Sequence, residues 1–180
     1  MKKILVFTGS NSSHSINHKL AVFAASQVAG HQVEVIKLTD YPLPLFGEDI
    51  ERAEGYSVNL RMLQNKIKEA DAFIISVNEH NRMISAFFKN TLDWLSRLEL
   101  KFLDGKKILL MSTSDGRKGA AAALEYSKFI MPRYGGNVVE SFSIPSFYEN
   151  YSEETQSISN EVLLLGIADV IQNFVHQLQQ

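Results

Sequence analysis

Short apolar runs alternate with helix-like segments along this chain of 180 residues. The apolar runs predict five strands, at residues 4–7, 33–38, 72–77, 107–112 and 137–142. Apolar residues three and four apart predict helices, at residues 15–29, 57–70, 85–98, 119–134 and 153–179. Strict alternation of strand and helix is typical of a mostly parallel sheet covered on both faces. We therefore expect one α/β domain, residues 1–180, built as a three-layer sandwich around a five-stranded parallel sheet.

Two of the runs, at residues 72–75 and 108–111, are apolar without interruption. Such a run indicates a strand buried on both faces, so these strands should lie inside the sheet. In open sheets of this kind, ligands bind outside the carboxyl ends of the strands, where the strand order reverses. The loops after strands one, three and four are therefore the expected functional region.

The connection at residues 39–56 contains two prolines, which argue against a continuous helix or strand there. We expect a rim loop or a partner-contact surface. Its acidic side chains are expected to be solvated, and they are Glu48, Asp49, Glu51 and Glu54.

Composition excludes several kinds of partner. Lys and Arg number 18 against 20 Asp and Glu, a net charge of −2, so no positive field would gather nucleic acid or anionic lipid. The chain has no cysteine, which excludes a disulfide, a thiolate nucleophile and a cysteine-ligated metal. The apolar run behind Met1, Lys2 and Lys3 is too short for a secretion signal, and no run approaches the length of a membrane span. We expect a cytoplasmic protein without nucleic-acid or membrane partners.

The loop after the first strand is rich in hydroxyls and lies where a helix begins. Ser10, Ser12, Ser13, Ser15 and Asn17 follow strand one directly. The start of a helix carries unpaired N–H groups and about half a positive charge, which together suit a phosphate. The alternative is that Ser15 only caps the helix and the other serines form a solvated turn. No Gly-Lys-Ser/Thr or G-x-G-x-x-G follows the strand, so a mononucleotide is favoured over ATP or a tightly bound dinucleotide.

The segment after the third strand carries the most specific motif. Residues 78–82 read N-E-H-N-R, and residues 89–94 read K-N-T-L-D-W. Over residues 1–144 the sequence resembles the NADPH-dependent FMN reductase family, whose members carry G-S-x-R-x-x-S-x-N after strand one and P-E-Y-N followed by K-N-x-x-D-W after strand three. The resemblance implies a flavodoxin-like fold with strand order 2-1-3-4-5. It also implies that bound FMN takes electrons from NADH or NADPH and passes them to free flavin, a quinone or an azo compound.

The resemblance further assigns the cofactor contacts to three loops. The residues that match the phosphate loop are Gly9, Ser10, Ser15 and Asn17, and those that match the loop along the isoalloxazine ring are Glu79 and Asn81. A third, glycine-containing loop is matched by Ser114, Asp115, Gly116 and Gly119. The implied FMN site comprises Ser10, Ser12, Ser15, Ile16, Asn17, Asn78, Glu79, His80, Asn81, Arg82, Ser114, Asp115, Gly116 and Gly119. Because the flavin carries the hydride chemistry itself, we expect no catalytic side chain and no metal.

Five residues depart from the family pattern. The family has arginine, proline, tyrosine and proline-glycine where this chain has Ser12, Asn78, His80 and Ser85-Ala86. Losing the arginine removes a charge-assisted phosphate contact worth about 1.5–3 kcal/mol, for which His14, His18 or Lys19 could compensate. The departures keep an alternative open, in which the chain is an interaction domain that retains the scaffold but has lost turnover or flavin.

Other conspicuous residues have ordinary explanations. His14 and His18 are four apart, but no acidic residue lies nearby in the sequence to complete a metal site. Trp94 is expected to pack in the core or at a subunit interface rather than stack on a ligand. In the resembling family, the helix at residues 85–98 takes part in dimer assembly, which implies a homodimer or homotetramer.

Overall fold

The computed structural model describes residues 1–179, in which a five-stranded parallel sheet lies between two layers of helices. The strands are β1 (Lys3–Thr8), β2 (Gln32–Val35), β3 (Ala72–Val77), β4 (Glu79–His80), β5 (Met83–Ile84), β6 (Lys107–Thr113), β7 (Asn137–Ile144), β8 (Tyr151–Ser152) and β9 (Ser157–Ile158). The helices are α1 (Ile16–Ser26), α2 (Glu48–Glu54), α3 (Val58–Glu69), α4 (Ala86–Leu98), α5 (Ala121–Ile130), α6 (Phe147–Asn150) and α7 (Glu161–Gln177), with 3₁₀ turns at Leu38–Asp40 and Met131–Tyr134.

The central sheet has the order β2-β1-β3-β6-β7, and every neighbouring pair in it is parallel. Counted by its own five strands, this order is 2-1-3-4-5, so the prediction is confirmed. The order reverses at β1, which pairs with β2 on one side and with β3 on the other. A crevice therefore opens beyond the carboxyl ends of β1 and β3, where sheets of this kind bind ligands.

Helices cover both faces of the sheet. Ile4 and Val6 of β1 pack with α1 and α7 in one cluster, whereas Leu5 and Phe7 pack with α3, α4 and α5 in the other. Alternate residues of a strand point to opposite faces, so β1 is buried on both sides. The same arrangement explains the uninterrupted apolar runs of β3 and β6, and it confirms the three-layer sandwich.

Side-chain caps fix the starts of the helices that border the crevice. The Ser15 hydroxyl accepts a hydrogen bond from the His18 N–H at the start of α1, as predicted. The Ser85 hydroxyl accepts from the Phe88 N–H at the start of α4 and donates to the Gly9 carbonyl, at 2.7 Å. Ser85 thus joins the first turn of α4 to the loop that follows β1.

The last helix is shorter than predicted. Its expected start at residue 153 is wrong, because α7 begins at Glu161, where the side chain of Asn160 accepts a hydrogen bond from the helix. The preceding residues form α6 and the β8–β9 hairpin instead. The rings of Phe147 and Tyr151 stack with centroids 4.6 Å apart, which pins this segment to the domain. The second strand is also shorter than predicted, since β2 ends at Val35 and Leu38 begins a 3₁₀ turn.

The K-N-T-L-D-W motif holds the proline-containing loop. The Trp94 Nε1–H and the Asn90 Nδ2 group both donate to the carbonyl of Pro44, at 2.8 and 2.9 Å. The Asn90 side-chain oxygen accepts from the Phe46 N–H at 2.7 Å. Trp94 is only 2% exposed, so its predicted packing role is confirmed within the chain's own core.

The acidic residues of this loop are not all solvated, and for Glu51 the expectation is wrong. Its side chain is 15% exposed and forms an ion pair with Arg97, at 2.8 Å. The Tyr56 hydroxyl also donates to the same carboxylate. Arg97, and then Tyr56, hold the pKa of Glu51 below its ordinary value. The residue belongs to α2, a short helix that sequence analysis did not predict.

Candidate functional site

Loops from three strands meet in an open cleft of about 210 Å³ at the carboxyl edge of the sheet. The cleft is lined by Ser10, Ser12, His14, Ser15, Ile16, Asn17, Asn78, Glu79, His80, Thr113, Ser114, Asp115 and Tyr148. The β1–α1, β3–β4 and β6–α5 loops are thus brought together, as sequence analysis expected of the loops after strands one, three and four. Four of the expected residues lie outside its lining, and they are Asn81, Arg82, Gly116 and Gly119.

The β1–α1 loop forms a row of hydroxyl groups that are ready to donate. The Ser10 oxygen accepts from the Ser12 N–H at 3.2 Å, and the Ser12 oxygen accepts from the His14 N–H at 3.2 Å. The Ser15 oxygen accepts from the His18 N–H at 3.1 Å. Since each oxygen already accepts a backbone bond, its O–H hydrogen can turn towards a ligand.

The first turn of α1 adds backbone donors at the same place. Within residues 1–179, the N–H groups of Ile16 and Asn17 have no hydrogen-bond partner, as is usual in the first turn of a helix. Together with the helix dipole, these N–H groups attract negative charge. The loop therefore suits an anionic group that accepts several hydrogen bonds.

The Asn17 side chain, by contrast, is hydrogen-bonded inside the protein. Its Nδ2 group donates to the Thr113 carbonyl at 3.0 Å. Its Oδ1 atom accepts from the Ser76 hydroxyl at 2.8 Å and from the Thr113 N–H at 3.0 Å. Asn17 thus links α1 to the ends of β3 and β6, and its backbone N–H is without a partner in the described residues.

The middle of the cleft contains an unsatisfied polar group. Asn78 is 8% exposed, and its Oδ1 atom has no hydrogen-bond partner in the described part of the chain. Its Nδ2 group lies 3.4 Å from the His80 Nε2 atom. A buried carbonyl oxygen without a partner costs about 1–3 kcal/mol, so this oxygen is available to a donor that enters the cleft, whether from a ligand or from water.

The β3–β4 loop leads into a two-residue hairpin. Asn81 and Arg82 connect β4 to β5 with φ angles of 50° and 67°, the pattern of a type I′ turn. The Glu79 carboxylate accepts from the Ala123 N–H at 3.0 Å, so it caps the start of α5. Glu79 therefore fixes the hairpin against α5, a role that the sequence did not indicate because Ala123 lies 44 residues away.

The β6–α5 loop forms the remaining wall. Ser114 and Asp115 line the cleft, whereas Gly116 is exposed beyond it. Gly119 lies buried beneath the loop with φ of 56°, and its carbonyl accepts from the hydroxyls of Ser112 and Ser143. Gly119 therefore helps to fix the conformation of the loop and lies outside the cleft lining.

Tyr148 is a cleft residue that sequence reasoning missed. It belongs to α6 and is 68% exposed, and it reaches the cleft because the Phe147 N–H donates to the Ser114 carbonyl at 2.9 Å. No motif covers it, since the resemblance ended at residue 144. The available signal was a tyrosine soon after Pro145, beyond the end of the fifth predicted strand.

The three side chains expected to compensate for the missing arginine lie at different distances from the cleft lining. His14 lines the cleft. His18 lies behind the loop in a second cavity with Lys37, and burial and then Lys37 lower the pKa of His18. Lys19 forms an ion pair with Glu153 of the β8–β9 hairpin. His14 is thus the one of the three expected compensating groups that lines the cleft.

Two features are absent from residues 1–179. No group of three or more His, Cys, Asp or Glu residues is placed to hold a metal ion. No helix in the same range has the length and apolar character needed to cross a membrane.

Comparison with known proteins identifies the family. A family model described as NADPH-dependent FMN reductase matches residues 2–149. The chain belongs to the NADPH-dependent FMN reductase family. Like its family, the chain is an FMN-dependent oxidoreductase that takes electrons from NADH or NADPH. Unpaired N–H and O–H donors around the cleft, together with the unpaired Asn78 oxygen, fit a ligand that carries a phosphate and several hydrogen-bonding groups.

Individual members of the reductase family align with most of the chain. A quinone reductase of Escherichia coli (strain K12) is 27% identical over 150 residues, which cover 77% of this chain and 79% of that relative. An NAD(P)H-dependent FMN reductase of Pseudomonas aeruginosa is 30% identical over 122 residues, covering 67% of this chain and 64% of that relative. Among solved structures, the flavoenzyme NAD(P)H:(acceptor) oxidoreductase FerB from Paracoccus denitrificans has a TM-score of 0.80 at 25% identity and covers 99% of this chain and 98% of that chain.

Proposed function

We propose that the cleft at the carboxyl edge of the sheet is where this reductase holds FMN. The observation that carries the proposal is the concentration of unpaired donors and one unpaired buried acceptor around this single opening. The proposed contact set keeps the residues of the three loops that sequence analysis named, apart from the buried Gly119, and it adds Thr113 and Tyr148.

The phosphate would lie at the β1–α1 loop. Its oxygens would accept from the hydroxyls of Ser10, Ser12 and Ser15 and from the N–H groups of Ile16 and Asn17. Hydrogen bonds to a charged acceptor contribute about 1.5–3 kcal/mol each, so several of them can offset the missing arginine. This placement is supported by the donors that the loop leaves free.

The flavin ring would lie beside the β4–β5 hairpin and the β6–α5 loop. When bound, FMN supplies the hydride and electron chemistry, and the protein supplies orientation and electrostatics. The backbone N–H groups of Asn81, Arg82 and Gly116 are the proposed donors to the ring. N–H donors at the ring edge stabilise negative charge, which favours acceptance of a hydride. Because the Glu79 carboxylate is hydrogen-bonded to α5, it would fix the position of the hairpin beside the ring.

The proposed electron acceptor is a small molecule of the quinone type, with free flavin or an azo compound as the other candidates. The Escherichia coli relative is named a quinone reductase, and FerB is described as acting on an unspecified acceptor. We further propose that the protein is cytoplasmic and forms a homodimer or homotetramer. Leu45 is 77% exposed at the tip of the rim loop, which supports a contact between this loop and a second copy.

A spectroscopic experiment tests the proposal. Purified protein mixed with FMN and freed of excess ligand should be yellow, and anaerobic addition of NADH or NADPH should bleach the visible flavin bands. Protein that stays colourless after mixing with FMN would contradict the proposed site.

A variant tests the phosphate position separately. Ser15→Glu places a carboxylate where the phosphate oxygens should lie, so it should weaken FMN binding far more than riboflavin binding. Fluorescence titration measures both dissociation constants. Equal losses for the two ligands would count against phosphate binding at this loop.

A further inference from the structure

We propose that His14 supplies the counter-charge for the ligand's phosphate and thereby makes FMN retention depend on pH. This inference rests on the proposed position of the phosphate at the β1–α1 loop. It adds a residue that the family motif does not include, since the motif leaves the position corresponding to His14 unspecified.

The first ground is the position of the imidazole. His14 is exposed and lines the cleft between Ser12 and Ser15. Its Nδ1 atom lies 3.0 Å from the Ser13 hydroxyl oxygen. Within residues 1–179 the Nε2 atom has no hydrogen-bond partner, so it is free to donate to a ligand when protonated.

The second ground is the charge of the surrounding walls. Within the described range, no Lys or Arg lines the cleft. Two acidic residues also line it: Glu79 after β3, whose carboxylate accepts from the Ala123 N–H of α5, and Asp115 after β6. A phosphate in this position would thus find no permanent cation in the described lining of the cleft, which makes a cationic imidazole the available source of attraction.

The remaining titratable groups near the cleft do not take this role. His80 faces Asn78 at 3.4 Å, on the loop after β3. Tyr148 presents a phenol from α6, and Lys19 is engaged with Glu153. Histidine is the side chain whose charge ordinarily changes between about pH 5 and 8, so the phosphate should be held more tightly at the acidic end of that range.

The mechanism follows from the donors available in each form. A protonated His14 donates from Nδ1 to the Ser13 oxygen and from Nε2 to a phosphate oxygen. A neutral His14 carries one N–H and no charge. A charge-assisted bond on an exposed loop corresponds to about tenfold in affinity.

The test compares FMN and riboflavin binding at about pH 5.5 and pH 8.5, because histidine changes charge between these values. Fluorescence titration gives the two dissociation constants, and their ratio isolates the phosphate contribution. We define the FMN preference of a protein as its dissociation constant for riboflavin divided by that for FMN. The FMN preference of wild type should exceed that of His14→Asn by about tenfold at the lower pH and by less than about twofold at the higher pH. The phosphate itself changes charge near about pH 6, and this change alters FMN binding to every variant. The pH dependence of His14→Asn measures that contribution without the imidazole.

Two further variants make the result decisive. His14→Lys keeps a positive charge at both pH values, so its preference for FMN should persist at the higher pH. His80→Asn should retain the pH dependence of wild type. Identical ratios for wild type and His14→Asn at both pH values would overturn the inference, as would loss of the pH dependence in His80→Asn alone. If no protein prefers FMN to riboflavin at either pH, the proposed phosphate position itself fails.

Discussion

Replacing Asn17 with alanine removes the side chain that joins the three loops of the cleft from inside. Asn17 makes three hydrogen bonds, to the Ser76 hydroxyl and to both backbone groups of Thr113. Ser76 is fully buried and Thr113 is 1% exposed, so neither can turn to bulk water. The variant therefore leaves two buried donors and one buried acceptor without their partner.

The magnitude follows from these unpaired groups. Each buried unsatisfied group costs about 1–3 kcal/mol, and water entering from the adjacent cleft can relieve part of the loss. We expect the free energy of unfolding to fall by about 3 kcal/mol, a large share of the ~5–15 kcal/mol typical of a domain. Ser76→Ala should cost only about 1 kcal/mol, because the Asn17 Oδ1 atom keeps its bond from the Thr113 N–H.

Urea unfolding of the FMN-free protein measures both losses by linear extrapolation. The chain's single tryptophan, Trp94, is buried and gives the fluorescence signal. The double variant Asn17→Ala/Ser76→Ala should lose about 1 kcal/mol less than the sum of the single losses, because Ser76→Ala deletes one of the orphaned donors. A loss below about 1 kcal/mol for Asn17→Ala, or strict additivity of the two changes, would refute this account of the loops.

Two more predictions concern stability at residues outside the cleft lining. Gly9→Ala should lower the free energy of unfolding by about 2 kcal/mol, because an added Cβ would lie 2.8 Å from the Phe88 ring; an unchanged urea midpoint would mean that the ring moves aside freely. In Glu51→Gln, the free energy of unfolding should depend less on pH at acidic pH than it does in wild type. Arg97 holds the pKa of Glu51 below its ordinary value, so this stabilisation is full above the ordinary value and is lost as pH falls through the lowered one. Thermal midpoints between about pH 3 and 6 measure it, and parallel curves for wild type and variant would contradict it.

Much of the fold could be predicted because the signals are local. The apolar runs of β3 and β6 read as buried strands without any knowledge of their neighbours. Ser15 could be assigned as a cap because the capping bond joins residues only three apart, here the Ser15 hydroxyl and the His18 N–H. The K-N-T-L-D-W motif could be recognised from the sequence, but its contacts could not. Only the structure shows that Asn90 and Trp94 donate hydrogen bonds to the Pro44 carbonyl.

The site was predictable at the level of loops and less so at the level of atoms. The alternation of strands placed the loops after β1, β3 and β6 at one edge of the sheet. It did not indicate that Asn17 turns inwards to Thr113, 96 residues away. It also did not indicate that the end of β7 turns back and brings Tyr148 to the cleft.

By itself, the sequence determined the five strands of the central sheet, the starts of α1, α3 and α4 and the hydroxyl-rich loop, because hydrophobic periodicity and helix capping act over a few residues. Only the tertiary structure decided which polar atoms are satisfied inside the protein and which remain free for a ligand. Asn17 and Asn78 illustrate the difference, since both are buried amides but only Asn78 keeps an unpaired oxygen. That distinction depends on distances between distant segments, and packing alone sets those distances.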